Sequence, residues 1–270
     1  MKKNKRHQWG QHFLVNPRVR DKIVRVIHPQ KNELILEIGA GKGVLTQALA
    51  QKGGSVLAVE RDSGFIPFLK KLEFPNLRIL QNDIRALHFH EIVKNHPQPI
   101  NKLKIVGNLP YSISSPVLFK VLQEREVISV CVFLLQKEVA ERVCAQPGSK
   151  QYAPVSILFQ NYFTSQIHFT LSPGAFFPPP QVQSALLSLK TRPKPIFSLK
   201  EEPRFRKFLQ GSFRHRRKKL SNNLRRLDFP LSFIRTAFNR IGLEENVRAE
   251  QLSLSQFVTL YEFLYFHPSE

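Results

Sequence analysis

The chain has 270 residues, is 42% hydrophobic and carries a formal net charge of +21. That apolar content builds a packed core and excludes a disordered chain, while the length accommodates one large domain with a small companion. A charge excess of this size repels itself unless a polyanion shares it, which points to nucleic acid; no apolar run approaches the roughly 18–20 residues of a membrane span.

The N-terminal stretch MKKNKRHQWGQHFL is basic but lacks the apolar core of a secretory leader, so no membrane partner and a cytoplasmic location are expected. Lys2, Lys3, Lys5 and Arg6 can form a basic arm. An apolar run, Leu34–Ile38, ends at Gly39 and is followed by a helical stretch from Val44 to about Lys52. Further runs follow: Ser55–Val59 ending at Glu60, Leu77–Leu80 leading to Asn82-Asp83, and Leu103–Val106 leading to Gly107-Asn108. Val127–Leu135 is long and β-branched, as expected of a strand buried on both faces. Strands alternating with helical segments predict a Rossmann-like α/β domain with a mainly parallel, doubly wound sheet. Gln166–Leu171 and Ser184–Lys190 read as a closing antiparallel pair around the proline-rich loop at Phe176–Pro180. Near Arg192-Pro-Lys-Pro195 the composition shifts, and Phe205, Phe208, Leu209 and Phe213, then Leu220, Leu224 and Leu227, recur at helical spacing. Ser253–Phe266 is helical as well, so the expected division is a catalytic domain over 1–193 and a small helical domain over 194–270. Cys131 and Cys144 lie in apolar surroundings without paired cysteines or histidines, which reads as free thiols with neither disulfide nor metal.

The strand ends carry the candidate chemistry. Glu37-Ile-Gly-Ala-Gly-Lys-Gly-Val44 is a glycine-rich turn between strand and helix, where the backbone turns tightly and approaches a ligand. Glu60 ends the next strand, as an acidic residue that binds ribose hydroxyls does. Those two features fit a dinucleotide or S-adenosylmethionine equally. The Asp83 carboxylate can accept from an adenine amine and the Ile84 N–H can reach a ring nitrogen; a turn or helix cap accounts for Asp83 as well. Ligands of open α/β sheets bind beyond the carboxyl ends of the strands, so Gly39, Glu60, Asp83 and Asn108 are expected to converge.

Asn108-Leu109-Pro110-Tyr111 follows the fourth of these runs. An adenine amine is a poor nucleophile because its lone pair is delocalised into the ring. The Asn108 side-chain oxygen and the Leu109 carbonyl, held by Pro110, can accept its two hydrogens and draw the nitrogen toward tetrahedral geometry. Tyr111 can stack on the base. The remaining problem is in-line orientation, and no Ser/His/Asp or Cys/His constellation is present or needed.

On these residues the chain resembles the KsgA (RsmA) family of small-subunit ribosomal RNA adenine dimethyltransferases. The resemblance extends to Gln11-His-Phe-Leu14, Gln136-Lys-Glu-Val-Ala-Glu-Arg142 with Pro147-Gly-Ser-Lys150, Phe176-x-Pro-x-Pro-x-Val182-x-Ser184-Ala185, Arg216-Arg-Lys218 with Asn222, and Arg248-Ala-Glu250. It implies a class I methyltransferase domain with a seven-stranded sheet, S-adenosylmethionine as methyl donor, and cofactor contacts at His12, Leu14, Gly39, Glu60, Asp83 and Asn108. It implies that Tyr111 and Phe176 sandwich the target base. The implied substrate is a pair of adjacent adenosines in the 3′-terminal hairpin loop of 16S rRNA, within the immature small subunit, and the implied enzyme is a monomer. His12 stands where many members have Asn, and Gln181 and Gln183 replace the usual Lys and Asp of the proline loop.

Between Arg204 and Arg226 there are ten Lys or Arg and no acidic residue. Arg214, Arg216, Arg217, Lys218, Lys219, Asn222 and Arg248 are the expected RNA contacts, and removal of the chain after about residue 195 is expected to spare cofactor binding. The alternatives are a large-subunit rRNA adenine methyltransferase, whose loop typically reads Asn-Ile-Pro-Tyr, a non-catalytic nucleic-acid-binding assembly or transcription factor on the same fold, and a nicotinamide-dependent oxidoreductase.

Overall fold

The structure is a computed structural model and describes residues 12–266; Gln11 and the basic arm at Lys2–Arg6 lie outside the described residues. The strands are β1 (Phe13–Leu14), β2 (Leu34–Ile38), β3 (Ser55–Glu60), β4 (Leu77–Gln81), β5 (Leu103–Asn108), β6 (Ile128–Gln136), β7 (Phe163–Leu171), β8 (Phe176–Phe177) and β9 (Ser184–Thr191). The α-helices are α1 (Pro17–Ile27), α2 (Val44–Ala50), α3 (Ile66–Lys70), α4 (Phe89–Lys94), α5 (Ser114–Gln123), α6 (Lys137–Cys144), α7 (Pro154–Tyr162), α8 (Glu202–Ser212), α9 (Leu220–Arg225), α10 (Leu231–Ile241) and α11 (Leu254–Phe266).

Seven strands form one sheet in the order β4-β3-β2-β5-β6-β9-β7. The five strands β4 to β6 in that order run parallel, and β9 enters antiparallel beside β6, with Gln136 opposite Ser184. All five residues of β2 are buried, as its position in the middle of a covered parallel sheet requires. Helix α1 starts where Asn16 caps it, accepting from the N–H groups of Arg18 and Val19, and Pro17 occupies its first turn. Its buried face (Val19, Ile23, Val24, Ile27) joins a core cluster with Ile35, Val106, Val132 and Leu186.

A second, two-stranded ribbon pairs β1 with β8 antiparallel, Phe13 opposite Phe177 and Leu14 opposite Phe176. Two-residue strands have no readable periodicity, which is why the sequence pattern does not show this ribbon.

The chain divides into two units: Met1–Ala140 with Thr164–Thr191, and Glu141–Phe163 with Arg192–Glu270. A boundary at residue 193 therefore needs correction, because the helical unit also takes the excursion through α7. Within that unit the Tyr152 ring meets Phe213 edge-on at 6.0 Å. The Gly148 N–H donates to the Glu250 carbonyl at 2.7 Å. The Asn161 side chain bridges both backbone groups of Phe197. Such tethers join residues far apart in sequence and leave no local signature. The unit also contains α10, which was not expected; its Ile234, Ala237 and Phe238 are buried and Gly242 ends it in a left-handed conformation. Cys131 is buried and Cys144 partly so, and burial raises both thiols, Cys144 to about 11. Among the described residues no helix is long and apolar enough to cross a membrane.

Candidate active site

Residues at the carboxyl ends of β2, β3, β4 and β5 line one cavity of about 330 Å³, within the usual size range of small-molecule sites. Gly39, Glu60, Asp83, Ile84 and Asn108 meet there with Leu109, Pro110, Tyr111, His12 and Phe176. Leu14 does not line it; its side chain is buried in the core cluster together with Phe176. The parallel topology accounts for the convergence, because side-by-side strands bring their C-terminal turns to one edge of the sheet.

The Glu60 carboxylate is buried and accepts from the Gly41 N–H at 2.7 Å through one oxygen and from the Asp62 N–H at 2.8 Å through the other. Glu60 thereby braces the glycine turn, and each oxygen keeps a further lone pair. At Gly41 (φ +53°) a Cβ would sit 3.2 Å from the Phe13 ring, so only glycine leaves the turn this close to β1.

Asp83 combines both readings of its sequence position. It lines the cavity, yet its carboxylate also caps the 3₁₀ turn Ile84–Ala86 and holds the Arg85 guanidinium through two nitrogens, with Arg61 at 3.4 Å. The Arg85 hydrogen bond is the main cause that lowers its pKa, to about 2, so the group is an anion at any working pH. Ile84 opens that turn, so its N–H lacks a partner within the turn.

The Asn108 side-chain amide donates from Nδ2 to the His12 carbonyl at 2.7 Å, which leaves Oδ1 as its remaining acceptor at the cavity wall. Leu109 is held by its N–H bonding to the Leu134 carbonyl at 2.9 Å. Close strand packing sets the approach: a Cβ on Gly107 would stand 2.7 Å from the Ile38 carbonyl. The Tyr111 hydroxyl pairs with Ser184 Oγ at 2.9 Å, and burial outweighs that bond to raise its pKa, keeping the ring neutral. The His12 ring lies 5.4 Å from Tyr111 and its Nδ1 approaches the Pro178 carbonyl at 2.7 Å. Since the backbone carbonyl of residue 12 is what holds Asn108, His in place of Asn leaves this contact intact. Gln183 accepts from Lys137 Nζ at 3.1 Å, so the proline loop keeps a side-chain tie without the usual carboxylate.

Ser184, Phe13 and Arg85 went unassigned in the sequence. The strings Gln11–Leu14 and Val182-x-Ser184 contain two of them, but only the folded chain shows that Ser184 anchors Tyr111. The expected basic residues fall in the helical unit. Arg214, Arg217, Lys218, Lys219, Asn222 and Arg248 are exposed. Arg216 is not a free cation: it binds the Lys150 carbonyl and the Glu250 carboxylate. His215, Lys218, Asn222, Asn223, Arg225 and Arg226 line a polar cavity of about 610 Å³ in the same unit.

Comparison with known proteins accords with this geometry. The chain is 39% identical over 254 residues to a ribosomal RNA small subunit methyltransferase A of Xylella fastidiosa, covering 93% of each chain. It is 38% identical over 260 residues to the protein of that description from Caldanaerobacter subterraneus, covering 96% of each. The crystal structure of a dimethyladenosine transferase from Plasmodium falciparum superposes with a TM-score of 0.78 at 25% identity, covering 92% of this chain and 96% of that one. The 23S rRNA methyltransferase ErmE shares the fold at a TM-score of 0.73 and 21% identity, covering 93% and 99%. The sequence pattern described as ribosomal RNA adenine dimethylase matches residues 2–265. With the strand-end cavity and its Asn-Leu-Pro-Tyr wall in place, the chain belongs to the ribosomal RNA adenine dimethylase family.

Proposed function

We propose that this protein transfers methyl groups from S-adenosylmethionine to the exocyclic amines of two adjacent adenosines in the 3′-terminal hairpin loop of 16S rRNA, acting as a cytoplasmic monomer on the immature small subunit. The observation that carries the reading is Asn108: its amide nitrogen donates to the His12 carbonyl, which fixes the side chain at the cavity wall with Oδ1 as its acceptor. The residues present fit the methyl donor. A role of Glu60 toward ribose hydroxyls is supported by its position at the cavity, as are that of the glycine turn toward a close ligand backbone and that of Asp83 with the Ile84 N–H toward an adenine edge. Bound there, S-adenosylmethionine supplies a methyl group on a sulfonium that leaves as a neutral thioether.

The chain's own groups do the rest. Asn108 Oδ1 and the Leu109 carbonyl accept the two amine hydrogens and free the nitrogen lone pair from the ring. Tyr111, fixed by Ser184, and Phe176 hold the base between them, so that the amine faces the donor. Methylation makes the amine nitrogen strongly acidic, and its proton leaves through the same acceptors without a dedicated base. Phosphates are held by the exposed cations of the helical unit, including Arg225 and Arg226.

Mass mapping of rRNA modifications tests the proposal. Deleting the gene is expected to remove two adjacent dimethyladenosines near the small-subunit 3′ end; an unchanged map rejects it. Purified protein should label unmethylated small subunits and not large ones, and the reverse preference would favour the large-subunit alternative.

A further inference from the structure

Phe177 is 70% exposed, more than any other large apolar residue among the described ones. Isolated surface phenylalanines are common, but this one is placed by the ribbon of β1 and β8. Residues directly opposite on an antiparallel pair point to the same face, and their neighbours to the other. Leu14 and Phe176 form one such pair and are buried at 7% and 4%. Phe13 and Phe177 form the other.

Phe13 lines the cavity and meets the buried Phe65 ring at 5.3 Å, which in turn lies 6.4 Å from Phe68, 47% exposed. The Lys42 ammonium lies 6.0 Å from the Phe13 ring. An exposed aromatic ring beside a cavity that takes a base is what an unpaired RNA base meets as a stacking platform. Phe176 lines the cavity and is buried, so the exposed ring next to it in β8 is that of Phe177.

We propose that Phe177 stacks on the nucleotide immediately flanking the adenosine in the cavity and so holds the unpaired strand at the rim. The inference rests on the methyltransferase reading above. In the two-adenosine substrate, the flanking base at Phe177 is the other target whenever it lies on the rim side.

The test uses the full chain and unmethylated small subunits, comparing Phe177→Ala, Phe177→Leu and Phe177→Tyr. Loss of one base–aromatic stack predicts a roughly 5- to 150-fold rise in KM for the subunit in Phe177→Ala, with kcat and affinity for S-adenosylmethionine near wild type. Phe177→Tyr, which keeps a ring, should restore KM; Phe177→Leu, which keeps only apolar bulk, should not. Unchanged KM in Phe177→Ala overturns the proposal, as does full restoration by Phe177→Leu, which would mean apolar packing against protein. Wild-type enzyme run in parallel separates the two levels: if it methylates no small-subunit adenosine, the parent reading falls and this inference with it, whereas active wild type with indifferent variants removes Phe177 alone.

Discussion

Asn108 has two hydrogen-bonding ends with different duties. Nδ2 donates to the His12 carbonyl, and Oδ1 is the acceptor that the proposed chemistry uses. Asn108→Ala removes the acceptor while the Leu109 carbonyl remains, so kcat should fall by roughly 100-fold or more, the scale of losing one preorganised polar group, while RNA affinity changes little. Single-turnover methylation and an RNA-binding isotherm on the same protein check this; parallel losses in both would move Asn108 from chemistry to binding. Glu37 gives a prediction of another kind. It is buried in β2, one carboxylate oxygen lacks a partner, and burial first, with nearby Glu60 as a lesser cause, raises its pKa from 4.5 to about 8. Between those values the folded protein keeps a proton that the unfolded chain has released, so Glu37 makes stability fall as pH rises through that window. Glu37→Gln cannot titrate. Its Tm relative to wild type should climb between about pH 5 and pH 8 and then level off; a constant difference in thermal scans would show Glu37 ionised throughout. At this scale the sequence was informative wherever a residue's chemistry suffices, as for Asn108 and Glu60. It was silent where a distant partner decides, as for Tyr111 with Ser184 or Arg216 with Glu250.

Among the elements, β5 carries the largest constraint, because it positions Asn108 at its last residue. A methyl group on Gly107 would meet the Ile38 carbonyl at 2.7 Å, and that carbonyl belongs to the neighbouring strand and cannot swing aside. Gly107→Ala should therefore cost roughly 1–3 kcal/mol as overpacking and slow transfer by shifting Asn108. Gly174→Ala, where nothing lies within 4 Å of the added carbon, serves as the neutral control in denaturant melts. Equal stability for the two variants would mean that the strands part without cost. The parallel strands and the glycine turn were legible because short apolar runs, each ending in glycine, acid or amide and each followed by a helical segment, fit buried strands feeding one sheet edge and little else. The β1–β8 ribbon and the 141–163 excursion were not, one for brevity and the other because an apolar helix does not declare which core receives it. Helix α10 carries a helical signal in its apolar residues at 234, 237, 238 and 241 ahead of Gly242.

For the molecule as a whole, the division of the chain alters what a truncation means. Ending it at residue 193 removes two helices that pack on α7 while α7 itself remains. The fully buried Tyr152 would lose the Phe213 ring, and α7 would lose α8 and α11. The 1–193 fragment is expected to aggregate or to melt well below the full chain, contrary to the expectation that such a cut spares cofactor binding. Size-exclusion chromatography and a thermal melt decide it, and a monomeric fragment that binds S-adenosylmethionine with the full chain's Tm would show that α7 does not need the segment after residue 193.

The pairing of Gln136 with Ser184 sets an order in time as well as in space. As the chain is made, β6 emerges with its outer edge unpaired, and everything between it and β9, including a helix belonging to the other unit, must be synthesised before that edge is covered. An apolar strand left waiting with free backbone groups is a template for the wrong neighbour. A pause in translation between residues 137 and 183 is therefore the interval in which the nascent protein is most exposed to misassembly, and the arrival of β9 ends it.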